Sequence, residues 1–349
     1  MKHLKSFFIL VLATSFLFLH SGCKKDPYPG YDAEIDLTGA WTSVGTFTGN
    51  INDMAVSGGK LWFGGSFTKT PSGYTTRGSA YYDGTNFYQV NHTYLYSNMQ
   101  FNKFMVSGDT IYAVGNLSSS KGNFLYWNST AWQTKYSSSQ EITAFAEYNN
   151  RFFVVYEYPF YPYHYIAGYA PSNSWSADGM GNDFEVYNNE LYITGYFYDI
   201  AGNSVYYVSK YNGVNWTGVG VNYSSNNPGN DLIVYNNELY ICGSFSSMGG
   251  SNQTNGIAKW NGTTWSSVGG GFTTGGTINK MTVSNGSLYV CGSFSEIGGV
   301  KVANVARWDG TSWSSPGKIL SGTTPVSSIV EYNGYLYASA GGAVYKYEL

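Results

Sequence analysis

Charge is scarce in this chain of 349 residues: only 11% are Asp, Glu, Lys or Arg, and there are four histidines and three cysteines. The histidine shortage is the most restrictive. His3 and His20 fall in the first twenty residues, so only His92 and His164 remain for a folded domain. A multi-histidine metal centre cannot be assembled from them within one subunit. Besides Cys23 the cysteines are Cys242 and Cys291, which hold the same position in successive copies of a repeat. Equivalent side chains of adjacent units point the same way and do not meet end to end. The pair therefore reads as small buried filler of a position held elsewhere by Gly64, Val114, Val155, Thr194 and Ser339. No Gly-x-Ser-x-Gly elbow, no calcium loop of alternating Asp and Asn, and no phosphate loop occurs. Without Lys2 and Lys5, 16 basic residues face 21 acidic ones, a net charge of −5. That balance disfavours nucleic acid and anionic membrane surfaces as partners.

Long apolar runs are absent too, with one short exception. Residues 7–19 form an uncharged, mostly apolar stretch of 13 behind the positive Lys2 and Lys5. It is short for a bilayer span and suits the apolar region of a signal peptide. Ser21-Gly22-Cys23 follows and resembles a bacterial lipobox, although His20 stands where an aliphatic or small residue is usual. The start Cys23-Lys24-Lys25-Asp26 resembles lipoproteins of the Bacteroidota. The resemblance implies lipidation of Cys23, attachment to the outer membrane through that lipid alone, and exposure at the cell surface as a further expectation. An ordinary secretory signal with an incidental cysteine is the alternative. Residues 1–22 are then a signal peptide, 23–35 a tether, and 36–349 the folded domain.

What the chain has in abundance is glycine and aromatic residues: 44 Gly, 34 Tyr, 20 Phe and 10 Trp. Such a composition favours many strands joined by tight turns. One unit recurs seven times. An apolar-aromatic pair marks its second strand at Leu61-Trp62, Ile111-Tyr112, Phe152-Phe153, Leu191-Tyr192, Leu239-Tyr240, Leu288-Tyr289 and Leu336-Tyr337. Gly-Gly, Gly-Asp, Asn-Asn or Asn-Gly precedes each pair, as two-residue hairpins require. A second hairpin signal stands at Asp83-Gly84, Asn212-Gly213, Asn261-Gly262 and Asp309-Gly310 between flanking aromatics, and reads as another type I′ turn. Four antiparallel strands per unit predict an all-β, seven-bladed β-propeller. The last copy lacks its fourth strand, and an orphan fourth strand begins near Trp41, so residues 40–45 are expected to pair near Val344 and Tyr347 and close the last blade. The repeats resemble kelch and galactose-oxidase-like propellers. They are more similar still to the Gly-Gly-x-Phe…Ala-x-Trp-Asp-Gly-x-x-Trp repeats of exported bacterial proteins and fungal cortical polarity markers. The resemblance spans residues 41–349 and implies a fold; it does not imply one function.

Two places depart from the repeat in a way that chemistry could use. Where its neighbours carry Gly, Ser and Phe, the third copy carries Tyr156, Glu157, Tyr158, Pro159, Phe160, Tyr161, Pro162, Tyr163, His164 and Tyr165. Tyr94 and Tyr96 lie in a nearby connection and Tyr196 in the fourth copy. Tyrosine offers a flat apolar face and a hydroxyl, which suits a sugar ring or a protein anchor; packing of these rings on each other is the alternative. Secondly, one position of the first strand reads Asp53, Lys103, Ala144, Asp183, Asp231, Lys280 and Ser328, usually after Asn. These residues are expected to ring the mouth of the axial channel, with Asp53 paired to Lys103 and Asp231 to Lys280, leaving Asp183 uncompensated. A solvated structural ring and a cation or polar-ligand site are both compatible with that pattern. The function expected is a non-catalytic surface receptor for glycan or protein, without cofactor, nucleic-acid partner or metal. A carbohydrate-active hydrolase or lyase using the channel-mouth acids is the alternative.

Overall fold

The repeat begins with its turns. In a computed structural model of the chain, Asn149-Asn150, Asn188-Asn189 and Asn236-Asn237 hold successive φ angles of 50° and 59°, 49° and 59°, and 49° and 61°. Two consecutive left-handed residues make a type I′ turn, whose twist matches that of the strands it joins. Asn285-Gly286, Asn333-Gly334 and Gly58-Gly59 follow the same rule. Each joins an inner strand to the second strand of its repeat, as in Ile51–Ser57 with Lys60–Gly65, where Ser57 faces Lys60.

The second hairpin is not the two-residue turn expected from Asp-Gly and Asn-Gly. Tyr82 faces Phe87 across a four-residue loop in which Gly84, at φ 102°, is left-handed. Asp83 Oδ1 accepts the amides of Thr85 and Asn86, both at 2.8 Å. Asn212, Asn261 and Asp309 do the same in their repeats. The side-chain oxygen substitutes for turn hydrogen bonds, which is why Asp or Asn must stand first. The donated amides hold the Asp83 and Asp309 carboxyls below the usual carboxylate range.

The structure describes residues 41–90, 99–116, 122–138, 141–156, 163–168, 174–200, 203–204, 207–220, 228–249, 254–272, 275–317 and 324–349. All belong to one compact unit, Ile35–Leu349. It is an all-β propeller of antiparallel sheets. The expected count of seven blades is wrong. Apart from one two-stranded ribbon, the strands form six sheets, five of them four-stranded and one eight-stranded, and none closes on itself. The third and fourth repeats are merged. A single strand, Ser174–Tyr187, is the outer strand of the third repeat against Tyr163–Gly168 and the inner strand of the fourth against Glu190–Ile200. The cause is a short connection: seven positions separate Trp175 from Asn182, whereas fourteen separate Trp216 from Asn230 and Trp265 from Asn279. No loop fits, so the strand runs straight on.

The chain ends meet in one of the four-stranded sheets. Thr42–Thr46 adds to the edge of Ala343–Glu348, with Thr42 opposite Lys346 and Ser43 opposite Tyr345. Trp41 is 1% exposed and packs with Tyr289, Cys291 and Val305 of the sixth repeat and Val326, Leu336 and Tyr345 of the seventh. Aromatic-rich cores like this one lie between consecutive repeats. Phe63, Tyr82 and Phe87 of the first repeat, for instance, pack with Tyr332, Tyr337 and Val344 of the last. Cys242 and Cys291 are free and buried, as filler residues should be, and burial pushes both thiols up.

Candidate functional site

Seven inner strands face one another across the six sheets, and side chains join them. At the start of each strand, a short polar residue donates to the next repeat. Asn52 Nδ2 reaches Phe101 O at 2.9 Å, Asn182 reaches Gly229 O at 2.8 Å, Asn230 reaches Ile278 O at 2.8 Å and Asn279 reaches Val326 O at 2.9 Å. Asn102 donates to the Glu141 carboxylate instead. Thr143 Oγ1 on Gly181 O (2.9 Å) and Ser327 Oγ on Ile51 O (2.8 Å) complete the circuit. Asparagine holds five of these seven positions, and a hydroxyl residue the other two. At the far end of the inner strands, tyrosine hydroxyls repeat the device: Tyr148 on Asn189 O, Tyr235 on Gly286 O and Tyr332 on Gly59 O, at 2.8, 2.9 and 2.9 Å.

The next residue along each inner strand carries the charges. Asp53 Oδ2 accepts Phe104 N of the next repeat at 2.9 Å, Asp183 Oδ2 accepts Leu232 N at 2.9 Å, and Asp231 Oδ2 accepts Met281 N at 2.8 Å. Ser328 Oγ does the same for Met54 N at 3.1 Å. All three aspartates are buried. They are buried inter-repeat latches rather than solvated side chains.

The ion pairs differ from those expected. Lys103 pairs with Asp183, and Lys280 pairs with Asp53. Each lysine reaches over a repeat whose equivalent residue is small: Ala144 lies between Lys103 and Asp183, and Ser328 between Lys280 and Asp53. The long, flexible stem makes this possible. Among the described residues Asp231, not Asp183, is thus left without a lysine partner. Burial, and then the neighbouring Asp183 carboxylate, raise its pKa well above the usual range. Burial pulls Lys280 down, but Asp53 and Asp231 outweigh it and hold the ammonium above its ordinary value.

Sequence reasoning missed Glu185, two residues beyond Asp183 on the same inner strand. Its counterparts are Ala55, Met105, Ala146, Ile233, Thr282 and Val330, so an acid among mostly apolar residues was the available signal. Burial, reinforced by Asp183, pushes its pKa up to about 7. The folded protein therefore keeps a proton on Glu185 that the unfolded chain has released, between the ordinary value of 4.5 and about 7. Stability contributed at this site falls as pH rises through that window. Glu185→Gln should flatten the fall in melting temperature between about pH 5 and pH 8. Thermal unfolding at both values tests this, and parallel slopes for variant and wild type would refute the assignment.

The aromatic candidates are only partly placed. Tyr94, Tyr96, Tyr158 and Tyr161 lie outside the described residues, as does Cys23. Tyr163 and His164 sit on the strand Tyr163–Gly168, opposite Asp178 and Ala177. Tyr196 is 38% exposed and meets Tyr207 edge-on at 5.9 Å. Among the described residues, no group of three or more His, Cys, Asp or Glu side chains is arranged to hold a metal ion.

No known protein family and no curated protein matches the chain. Solved structures are similar in fold. YCF48 bound to D1 peptide aligns with a TM-score of 0.56 at 10% identity, over 88% of this chain and 97% of that one. Virginiamycin B lyase from Staphylococcus aureus gives 0.57 at 11% identity over 89% and 99%. The extracellular domain of a hybrid two component system from B. thetaiotaomicron gives 0.57 at 11% identity, over 87% of this chain and 39% of the other. These likenesses define the class, a β-propeller. Neither the kelch type nor a Bacteroidota lipoprotein follows from them.

Proposed function

We propose that this chain is a non-catalytic, exported binding protein, lipid-anchored through Cys23 to the outer membrane, that recognises glycan or a surface protein with its loop side. One observation carries the reading. Three inner-strand acids are engaged in structure: Asp53 and Asp183 each take a lysine and a backbone amide of the following repeat, and Asp231 takes the amide of Met281. Variation between repeats falls instead on the connections, and variable loops on a rigid scaffold are where sites arise. The neighbours support a propeller that suits binding: one was solved with a peptide, and another is an extracellular domain.

Two experiments test it. Cys23→Ala should release the protein from membranes and abolish labelling with a fatty-acid analogue; an unlabelled wild type would favour an ordinary secretory signal. A glycan array and surface-protein pull-down, with a turnover assay on any hit, test the rest. Tyr161→Ala should weaken a true ligand about 30-fold at unchanged melting temperature, as loss of a stacked hot-spot ring does. Turnover that Glu185→Gln abolishes would replace the receptor reading with the hydrolase one.

A further inference from the structure

We propose that Asn285, in the two-residue first turn of the sixth repeat, is a site of spontaneous modification to isoaspartate and aspartate. Asparagine is a chemically labile residue, and a following glycine has no side chain to shield the amide between them. In the reaction the glycine nitrogen bonds to the asparagine Cγ. Its proton passes to hydroxide, water returns one to the departing ammonia, and a five-membered succinimide ring remains. Water then opens the ring. Addition at one carbonyl gives aspartate; addition at the other gives isoaspartate, whose main chain runs through the side-chain methylene.

Five Asn-Gly pairs occur in the chain, at Asn212, Asn255, Asn261, Asn285 and Asn333, all among the described residues. Four are held by bonds that ring formation has to break. Asn212 Oδ1 accepts Val214 N and Asn215 N at 2.9 Å, and Asn261 Oδ1 accepts Thr263 N and Thr264 N at 2.9 Å. The other two are held at the attacking nitrogen. Gly256 N donates to Phe245 O at 2.7 Å, and Gly334 N donates to Glu331 Oε1 at 2.9 Å. The Glu331 charge also opposes the amide anion that attack requires.

Asn285 has neither restraint. It and Gly286 are exposed, and neither the Asn285 carboxamide nor the Gly286 amide has a hydrogen-bond partner among the described residues. The reason lies in how the last repeat is built. In three places a first turn packs against the second-turn glycine of the next repeat. A Cβ added at Gly84 would lie 3.6 Å from Asn333 Nδ2, one at Gly310 would lie 3.5 Å from Asn236 Nδ2, and one at Gly262 would lie 3.8 Å from Asn188 Nδ2. The repeat after Asn285 is the seventh, whose third and fourth strands are Ala343–Glu348 and Thr42–Thr46. No hairpin joins strands so far apart in sequence, so no second-turn glycine covers Asn285.

Isoaspartate at this position acts on a latch. Asn285 and Gly286 hold φ angles of 46° and 70° in a two-residue turn, with Ser284 opposite Ser287. An extra main-chain carbon does not fit that turn without shifting the register. The Gly286 carbonyl also accepts the Tyr235 hydroxyl of the fifth repeat at 2.9 Å, so the bond between the two repeats is disturbed with it. Aspartate keeps the turn and adds one negative charge.

Incubation of the full folded chain at mildly alkaline pH, followed by peptide mass spectrometry and isoaspartyl methyltransferase labelling, tests the assignment. Asn285 should convert at least about tenfold faster than the other four, the factor that one unbroken hydrogen bond supplies. In concentrated urea all five should convert at similar rates, because only the fold tells them apart. The aged protein should melt at a lower temperature. Asn285→Gly, which copies the Gly58-Gly59 turn of the first repeat, should remove the label at this turn and hold its melting temperature on ageing. Conversion of any of the other four ahead of Asn285, or equal rates for all five in the folded chain, would overturn the proposal. Isoaspartate at position 285 with an unchanged melting temperature would overturn its action on the latch.

Discussion

Asp53→Ala should destabilise the propeller by about 3–5 kcal/mol, the cost expected when one member of a buried ion pair is removed and the other left behind. Asp53 is 3% exposed and accepts four groups: Met54 N and Phe104 N at 2.9 Å, Ser328 Oγ at 3.1 Å, and the Lys280 ammonium. These come from the first, second, sixth and seventh repeats, so one carboxylate ties together four of the inner strands. Its loss leaves the half-buried Lys280 ammonium without its carboxylate and the buried Phe104 amide without its acceptor, and an orphaned buried group costs its full desolvation energy. The charge component can be separated from the rest. Lys280→Met in the Asp53→Ala background removes the stranded ammonium and should recover part of the loss. Equilibrium unfolding in urea of the two single variants and the double variant gives the coupling energy. A coupling near zero would mean that the pair is solvated and contributes little, as surface pairs do.

How much of this was legible beforehand depended on what repeats. Features present in every copy could be read, because seven instances average out local noise: the two-residue turn before the second strand, the apolar-aromatic pair of that strand and the strand order follow from them, whereas the Asp-Gly and Asn-Gly of the second hairpin belong to four-residue loops. Features set by differences between copies were harder. The merged third and fourth repeats were encoded in the short spacing from Trp175 to Asn182, but a search for likeness passes over a missing loop. The lysine pairing failed for a related reason. Adjacency along the ring predicts nearest-neighbour pairs, whereas the gaps at Ala144 and Ser328 let each lysine stretch to the next aspartate. Thr143 and Ser327 replace asparagine with a hydroxyl that reaches the same carbonyl, a substitution of chemistry that identity does not reveal.

Removal of residues 41–46 should aggregate the protein or abolish cooperative unfolding, the largest effect expected of any short deletion. This segment is far from its partner in sequence, yet it forms the outer strand against Ala343–Glu348. Without it, that strand becomes a free edge of unpaired amides and carbonyls, a template for association with other chains. The apolar face under Trp41, from Val305, Val326, Leu336 and Tyr345, would also meet water. The side chain and the backbone contribute separately. Trp41→Ala retains the strand but empties a site where the indole is 1% exposed and its ring lies 5.4 Å from Tyr347, and should cost about 3–5 kcal/mol. Trp41→Phe should cost less, because Trp41 Nε1 has no hydrogen-bond partner among the described residues to lose. Trp265→Phe makes the contrast, since its Nε1 donates to Val219 O at 3.2 Å. Removing only the tether, residues 24–35, should leave thermal stability unchanged. Thermal unfolding with light scattering on these variants orders the effects. Near-wild-type stability after deletion of 41–46 would show that the last sheet stands with three strands, and that joining the chain ends is incidental to the fold.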